Sequence, residues 1–75
     1  MSDRNIRTDV AGRVWQILRS EGDWIEEGET ILLVEAMKME IPVAADCSGT
    51  LRRILVSDSE DVTEGQSVAI LEDGS

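Results

Sequence analysis

The sequence predicts an all-β domain, a sandwich of two halves that share one core about an approximate two-fold axis. Three observations lead there. Sliding the chain against itself by 37 positions lays residues 12–35 on residues 49–72 without a gap. Ile and Val clusters of four to eight residues are bounded by Gly, Ser, Asp and Glu turns, the signature of strands. No stretch has helical periodicity long enough to compete. Two repeats are too few for a solenoid, which leaves two halves closing on each other.

The repeat justifies each element in turn. Gly12 meets Gly49, Ile17 meets Ile54, Leu18 meets Leu55, Ser20 meets Ser57, Glu27-Gly28 meets Glu64-Gly65, and Glu35 meets Glu72. Apolar partners fill the gaps: Val14 with Leu51, Ile25 with Val62, Ile31 with Val68, Leu33 with Ile70, Val34 with Leu71. Each half therefore reads as strand, turn, very short strand, Glu-Gly turn, strand. In the first half the strands fall at residues 13–19, 24–25 and 30–34, with turns at 21–23 and 27–29. Gly28 and Gly65 recur at one point of both halves, which assigns them a shared positive-φ turn. Between the halves, residues 31–34 lead into a hairpin and 41–44 lead out, with the tip near Met37-Lys38. Pro42 cannot donate to a ladder, so the outgoing strand belongs at an edge or turns that position away from its neighbour. Residues 1–9 are expected as an N-terminal extension and 10–73 as the domain.

At 75 residues the chain holds one domain at most, near the lower limit for a hydrophobic core without staples. It is 41% hydrophobic and 31% charged, which suits neither a membrane segment nor a disordered acidic tail. Phe, Tyr and His are absent, so the core has to be aliphatic, with Trp15 and Trp24 its only aromatics. Without His, and with Cys47 unable to pair within the chain, neither a zinc site nor an internal disulfide is expected. Cys47 fits a reducing compartment, and as a small loop residue beside Asp46 it has nothing to activate a thiolate. Charges at Asp3, Arg4, Arg7, Asp9, Arg13 and Arg19 leave no signal peptide or membrane helix near the start, and a cytoplasmic location follows. A net charge of -9 repels phosphate backbones and anionic membranes, so neither nucleic acid nor membrane is an expected partner. No nucleophile-base pair and no room for a sizeable pocket make an autonomous enzyme the weakest reading.

Lys38 sits between two methionines on a turn that joins two apolar strands. Tight hairpins favour Gly, Asn or Asp because they need positive φ, and Met-Lys is an expensive choice for structural ends alone. Spacing by itself still favours a bland reading, in which Met37 and Met39 plug the end of a small barrel while Lys38 solvates a loop.

The segment Glu35-Ala36-Met37-Lys38-Met39-Glu40 resembles the attachment motif of biotin carboxyl carrier domains, in the biotinyl/lipoyl attachment family. Gly12, Glu27-Gly28, Ala45-Asp46, Ser48-Gly49 and Glu64-Gly65 extend the resemblance over roughly residues 10–72. It implies a flattened β-barrel (a barrel-sandwich hybrid) of two four-stranded antiparallel sheets with pseudo-two-fold symmetry, in agreement with the repeat. It also implies that Lys38 carries biotin in amide linkage, attached by a biotin protein ligase through an ATP-derived biotinyl-adenylate. Attack needs the neutral amine, and the ligase has to supply deprotonation and orientation. Glu35, Ala36, Met37 and Met39 are then recognition elements for the ligase and partner enzymes, the methionines as adaptable apolar contacts. The attached biotin carries carboxylate on a ureido nitrogen between a biotin carboxylase and a carboxyltransferase, as in acetyl-CoA or another acyl-CoA carboxylase. The chain itself needs no catalytic residue. As an isolated domain it is expected to be monomeric.

Departures from the family pattern are informative. The gapless repeat leaves no room for the protruding thumb of the better-known bacterial acetyl-CoA carboxylase carriers, and where those follow a long Pro/Ala-rich linker the sequence here begins almost at the domain. This resembles the compact thumbless type, either free-standing or as the C-terminal module of a larger carboxylase. Cys47 stands where the family often has a basic residue, which puts a charge contact at that loop in doubt. Two rivals remain. A lipoyl domain has the same fold and lysine position but typically reads Asp-Lys-Ala, and an unmodified barrel-sandwich assembly module would not depend on Lys38 at all.

Overall fold

The computed structural model describes residues 2–73, which form eight strands: β1 Asp3–Arg7, β2 Gly12–Ile17, β3 Trp24–Ile25, β4 Thr30–Ala36, β5 Met39–Ala44, β6 Gly49–Ile54, β7 Asp61–Val62 and β8 Ser67–Asp73. They pair antiparallel into two four-stranded sheets, in the orders β1-β8-β6-β3 and β5-β4-β2-β7. Adding 37 to the numbers of β1, β2, β3 and β4 gives β5, β6, β7 and β8 to within a residue, so the repeat carries one sheet onto the other. The bulges repeat as well, between Val14 and Gln16 in β2 and between Leu51 and Arg53 in β6.

Backbone hydrogen bonds outside the ladders obey the same relation. Gly28 N–H donates to the Ala45 carbonyl and Gly65 N–H to the Thr8 carbonyl, both at 2.8 Å. Leu51 N–H donates to the Asp23 carbonyl and Val14 N–H to the Glu60 carbonyl, again both at 2.8 Å. Gly28 and Gly65 have φ of 88° and 83°, the shared turn expected of them. Gly12 and Gly49 are required for a different reason. A Cβ at Gly12 would collide with the Glu35 carbonyl oxygen, and one at Gly49 with that of Glu72, so each glycine lets two strands approach.

The buried side chains are aliphatic apart from Thr8 and come mostly as equivalent pairs: Ile6 and Val43, Val14 and Leu51, Ile25 and Val62, Ile31 and Val68, Leu32 and Ala69, Val34 and Leu71. Val10 and its equivalent Cys47 both pack partly buried against this core, which gives Cys47 the place of a small apolar residue. Pro42 lies in β5, the edge strand of its sheet, where its missing N–H leaves no ladder bond unmade.

Two expectations are corrected. Residues 1–9, expected as an extension, contain β1, which pairs with β8 from Asp3↔Glu72 to Arg7↔Ser67; Met1 lies outside the described residues. The sheet begins at Asp3 because Ile6, only 2% exposed, fills the core position equivalent to Val43. Trp15 and Trp24 were expected in the core, and the structure leaves them 48% and 50% exposed. Each follows or precedes a buried residue along its strand, Val14 before Trp15 and Ile25 after Trp24, so strand alternation turns both indoles to the outer face. Trp24 instead donates from Nε1 to a Glu26 carboxylate oxygen at 2.6 Å.

Candidate functional site

Strands β4 and β5 pair without interruption from Leu32↔Val43 to Ala36↔Met39, leaving Met37 and Lys38 as a two-residue loop. Their φ angles are 54° and 66°, so both residues occupy the left-handed region, as the two-residue hairpin matching the twist of its strands requires. Neither has the Asn or Gly that adopts such angles readily. Buried Leu32, Val34 and Val43 anchor the stems, so the tip projects from a well-packed base.

The residues singled out in the sequence come together at this tip. Met37 is 92% exposed and Met39 65%, among the largest apolar exposures of the molecule. Lys38 and Glu35 are exposed, and Ala36 is half-buried opposite Met39. Lys38 has no hydrogen bond or ion pair among the described residues, so only the backbone of the turn sets where its side chain begins. Glu40, left out of the sequence-derived set of recognition residues, stands directly opposite Glu35, and the hairpin register was the signal that would have placed it there. A cleft of about 310 Å³ between β1 and β5 is lined by Asn5, Ile6, Arg7, Asp9, Ala44 and Asp46, and none of the tip residues contributes to it.

Chemically the arrangement offers one primary amine on a flexible stem, rooted on a strained turn and flanked in sequence by two soft apolar side chains. No acid-base partner among the described residues touches the amine. Among the described residues no group of three or more Cys, Asp or Glu is disposed to hold a metal ion. Cys47, away from the tip, has its thiol pKa raised, first by burial and then by the negative charge of Asp46.

The fold and the tip together describe a small two-sheet barrel with one exposed lysine on a two-residue hairpin loop. The family model described as biotin-requiring enzyme, of the biotin/lipoyl type, matches residues 5–71. The chain belongs to this biotin/lipoyl attachment family. It is 34% identical over 67 residues to a homolog of the biotinylated protein TB7.3 from Mycobacterium leprae, covering 89% of this chain and 94% of that one. It is 37% identical over 60 residues to the biotin/lipoyl attachment protein of Bacillus subtilis, covering 80% and 82%. Among solved structures, the Kluyveromyces lactis urea carboxylase superposes with a TM-score of 0.91 at 30% identity. That match spans 96% of this chain and 6% of the carboxylase, so the resemblance is to one small part of a far longer enzyme.

Proposed function

We propose that Lys38 is the site of covalent biotin attachment and that the chain serves as the carboxyl carrier of a biotin-dependent carboxylase. The observation that carries this reading is the turn itself. A hairpin tip in the left-handed region, built from Met and Lys where Asn and Gly would fit at lower cost, is explained when the lysine must stand alone at the tip. Membership of the biotin/lipoyl family supplies the group that the lysine would accept.

In this proposal a biotin protein ligase uses ATP to activate the carboxyl of biotin. The carboxylate oxygen attacks the α-phosphorus and pyrophosphate leaves, giving biotinyl-adenylate; the neutral Nζ of Lys38 then attacks its carbonyl carbon, the amide bond forms as the bond to AMP breaks, and the proton lost from nitrogen passes to the ligase. Met37, Met39, Ala36 and Glu35 guide recognition, because Met side chains repack against differently shaped clefts. Once attached, biotin supplies a ureido nitrogen that holds carboxylate between a biotin carboxylase and a carboxyltransferase, the latter acting on an acyl-CoA or a similar acceptor. The chain contributes position: tethering replaces diffusion by an effective concentration in the millimolar range, about what short flexible linkers give. The ligase depends on ATP, and we place the protein with it in the cytoplasm, as a monomer when isolated.

Similarity to a protein named for both biotin and lipoyl attachment gives the lipoyl reading its one specific support. Intact-mass measurement and peptide mapping of the chain from cells supplied with both biotin and lipoate separate the two. The expected result is a biotinyl mass on the Lys38 peptide, absent from Lys38→Arg. A lipoyl mass at Lys38, or an unmodified Lys38 with ligase and biotin in excess, overturns the proposal.

A further inference from the structure

We infer that the outer face of the β5-β4-β2-β7 sheet, centred on Trp15, is the docking surface for biotin protein ligase, and that the equivalent face of the other sheet is not. The inference rests on Lys38 being the biotin acceptor and adds which side of the barrel the ligase meets.

The two sheets are one scaffold used twice, so differences at equivalent positions report on what each face does rather than on how it folds. On the β1-β8-β6-β3 sheet, Asp3 and Glu72 oppose each other as register partners. Arg52, in the bulge of β6, spans both, its Nη1 lying 3.5 Å from an Asp3 oxygen and 3.8 Å from a Glu72 oxygen. Subtracting or adding 37 gives the other face: Glu40 for Asp3, Glu35 for Glu72, and Trp15 for Arg52, in the matching bulge of β2. Glu35 and Glu40 are again directly opposed, but the residue equivalent to Arg52 is an indole without charge. Arg13, the register partner of Glu35, instead pairs with Asp61 at 3.4 Å. Glu35 and Glu40 have no ion pair among the described residues.

Opposed like charges weaken a sheet, and the β5-β4-β2-β7 sheet keeps a pair whose equivalent the other sheet neutralises. Trp15 is also a half-exposed indole beside the register row Gln16, Leu33 and Pro42. An aromatic anchor on an apolar floor with a charged rim is the composition of a protein interface, not of an idle sheet face.

Charge and reach identify the occupant. The Lys38 amine extends one side chain beyond the turn, so an enzyme that bonds to it must bring its walls against the hairpin flanks. The Glu35↔Glu40 and Leu33↔Pro42 rows lie one and three residue pairs behind the closing pair Ala36↔Met39, within roughly 10 Å at the usual strand rise. An enzyme that activates a carboxylate with ATP has to hold phosphate oxygens, which calls for Arg and Lys at the mouth of its site. Two carboxylates left without counter-ions beside the acceptor lysine complement that mouth, and a chain of net charge -9 is drawn toward it.

The equivalent face provides the control. Initial rates of Lys38 biotinylation are measured with the cognate ligase, ATP, biotin and the full unmodified chain, below saturation, at low and moderate salt. Trp15→Ala, and Trp15→Arg, which copies the arrangement at Arg52 and so suits the scaffold, should each lower kcat/KM by about tenfold through KM, the scale of an interfacial aromatic. Glu35→Gln combined with Glu40→Gln should lower it at low salt and flatten its salt dependence, which a purely structural role would not do. Arg52→Ala, and Asp3→Asn combined with Glu72→Gln, should change it by less than about twofold, as rim positions outside a contact do. Equal losses on both faces, or no loss on the Trp15 face while the wild-type chain is biotinylated, overturn this inference alone. A wild-type chain that takes no biotin overturns the attachment proposal and this inference with it.

Discussion

Replacing Met37-Lys38 by Asn-Gly, as the double variant Met37→Asn and Lys38→Gly, should stabilise the fold while removing the proposed attachment point. Both native residues hold positive φ, 54° and 66°. A side chain in the left-handed region costs about 1–2 kcal/mol per residue, and Asn and Gly are the residues that visit it routinely. Gly returns about 0.5–1 kcal/mol of this as lost unfolded-chain entropy. Met37 is 92% exposed and Lys38 makes no hydrogen bond or ion pair among the described residues, so neither truncation opens a cavity or orphans a partner. The net gain is about 1–2 kcal/mol, and at roughly 4–8 °C per kcal/mol for a domain of this size Tm should rise by about 5–15 °C. Thermal unfolding followed by calorimetry and far-UV circular dichroism reads it. An unchanged or lowered Tm would refute the view that the tip is strained for a purpose.

Two further outcomes follow from the same geometry. Ser59 has φ of 70° at the position where the other half has Gly22, with φ of 96°; Ser59→Gly should therefore raise stability by about 0.5–1 kcal/mol, seen as a higher denaturant midpoint with unchanged slope. Burial, then the Asp46 charge, raises the Cys47 pKa, so the folded state holds the thiol proton more tightly than the unfolded chain does. That contribution is complete below the unfolded thiol value, about 8.5, and is lost as pH climbs through the higher folded value. Cys47→Val, which copies Val10, should flatten the alkaline part of the Tm profile relative to wild type, and parallel profiles would contradict it.

What the sequence disclosed depended on whether a residue's role could be read without its partners. The two-fold relation, the paired Glu-Gly turns, the short strands at Trp24 and Asp61 and the hairpin tip all follow from local pattern plus an offset of 37. β1 escaped because Asp-Arg-Asn-Ile-Arg has a single apolar residue and shows no alternation by itself. Its signal was the offset carried further back, which sets Ile6 on Val43 and Thr8 on Ala45. The tryptophans were misplaced because aromatic content suggests core, whereas strand alternation beside buried Val14 and Ile25 turned them outward. At the site, Lys38 and its methionines were legible as a motif. The unpaired state of Glu35 and Glu40 was not, because it depends on which carboxylates Arg13 and Arg52 reach.

The place of Lys38 follows from how one chain can build a two-fold barrel. Such a chain has one covalent crossing between its halves and one place where its two ends meet, and the pseudo-dyad relates the two. Here the crossing is the β4–β5 turn closed by Ala36↔Met39, and its equivalent is the juncture where Asp73 N–H donates to the Ser2 carbonyl at 2.8 Å. Both positions are offered by the same scaffold, but only the crossing is closed by covalent bonds on both sides, so only there can backbone strain hold a side chain at a fixed tip. The other juncture, in the opposite sheet, leaves covalent connections free to run without touching the hairpin. A domain divided this way can stand alone or within a longer chain and present its lysine identically, because tethering and presentation occupy the two ends of one symmetry operation.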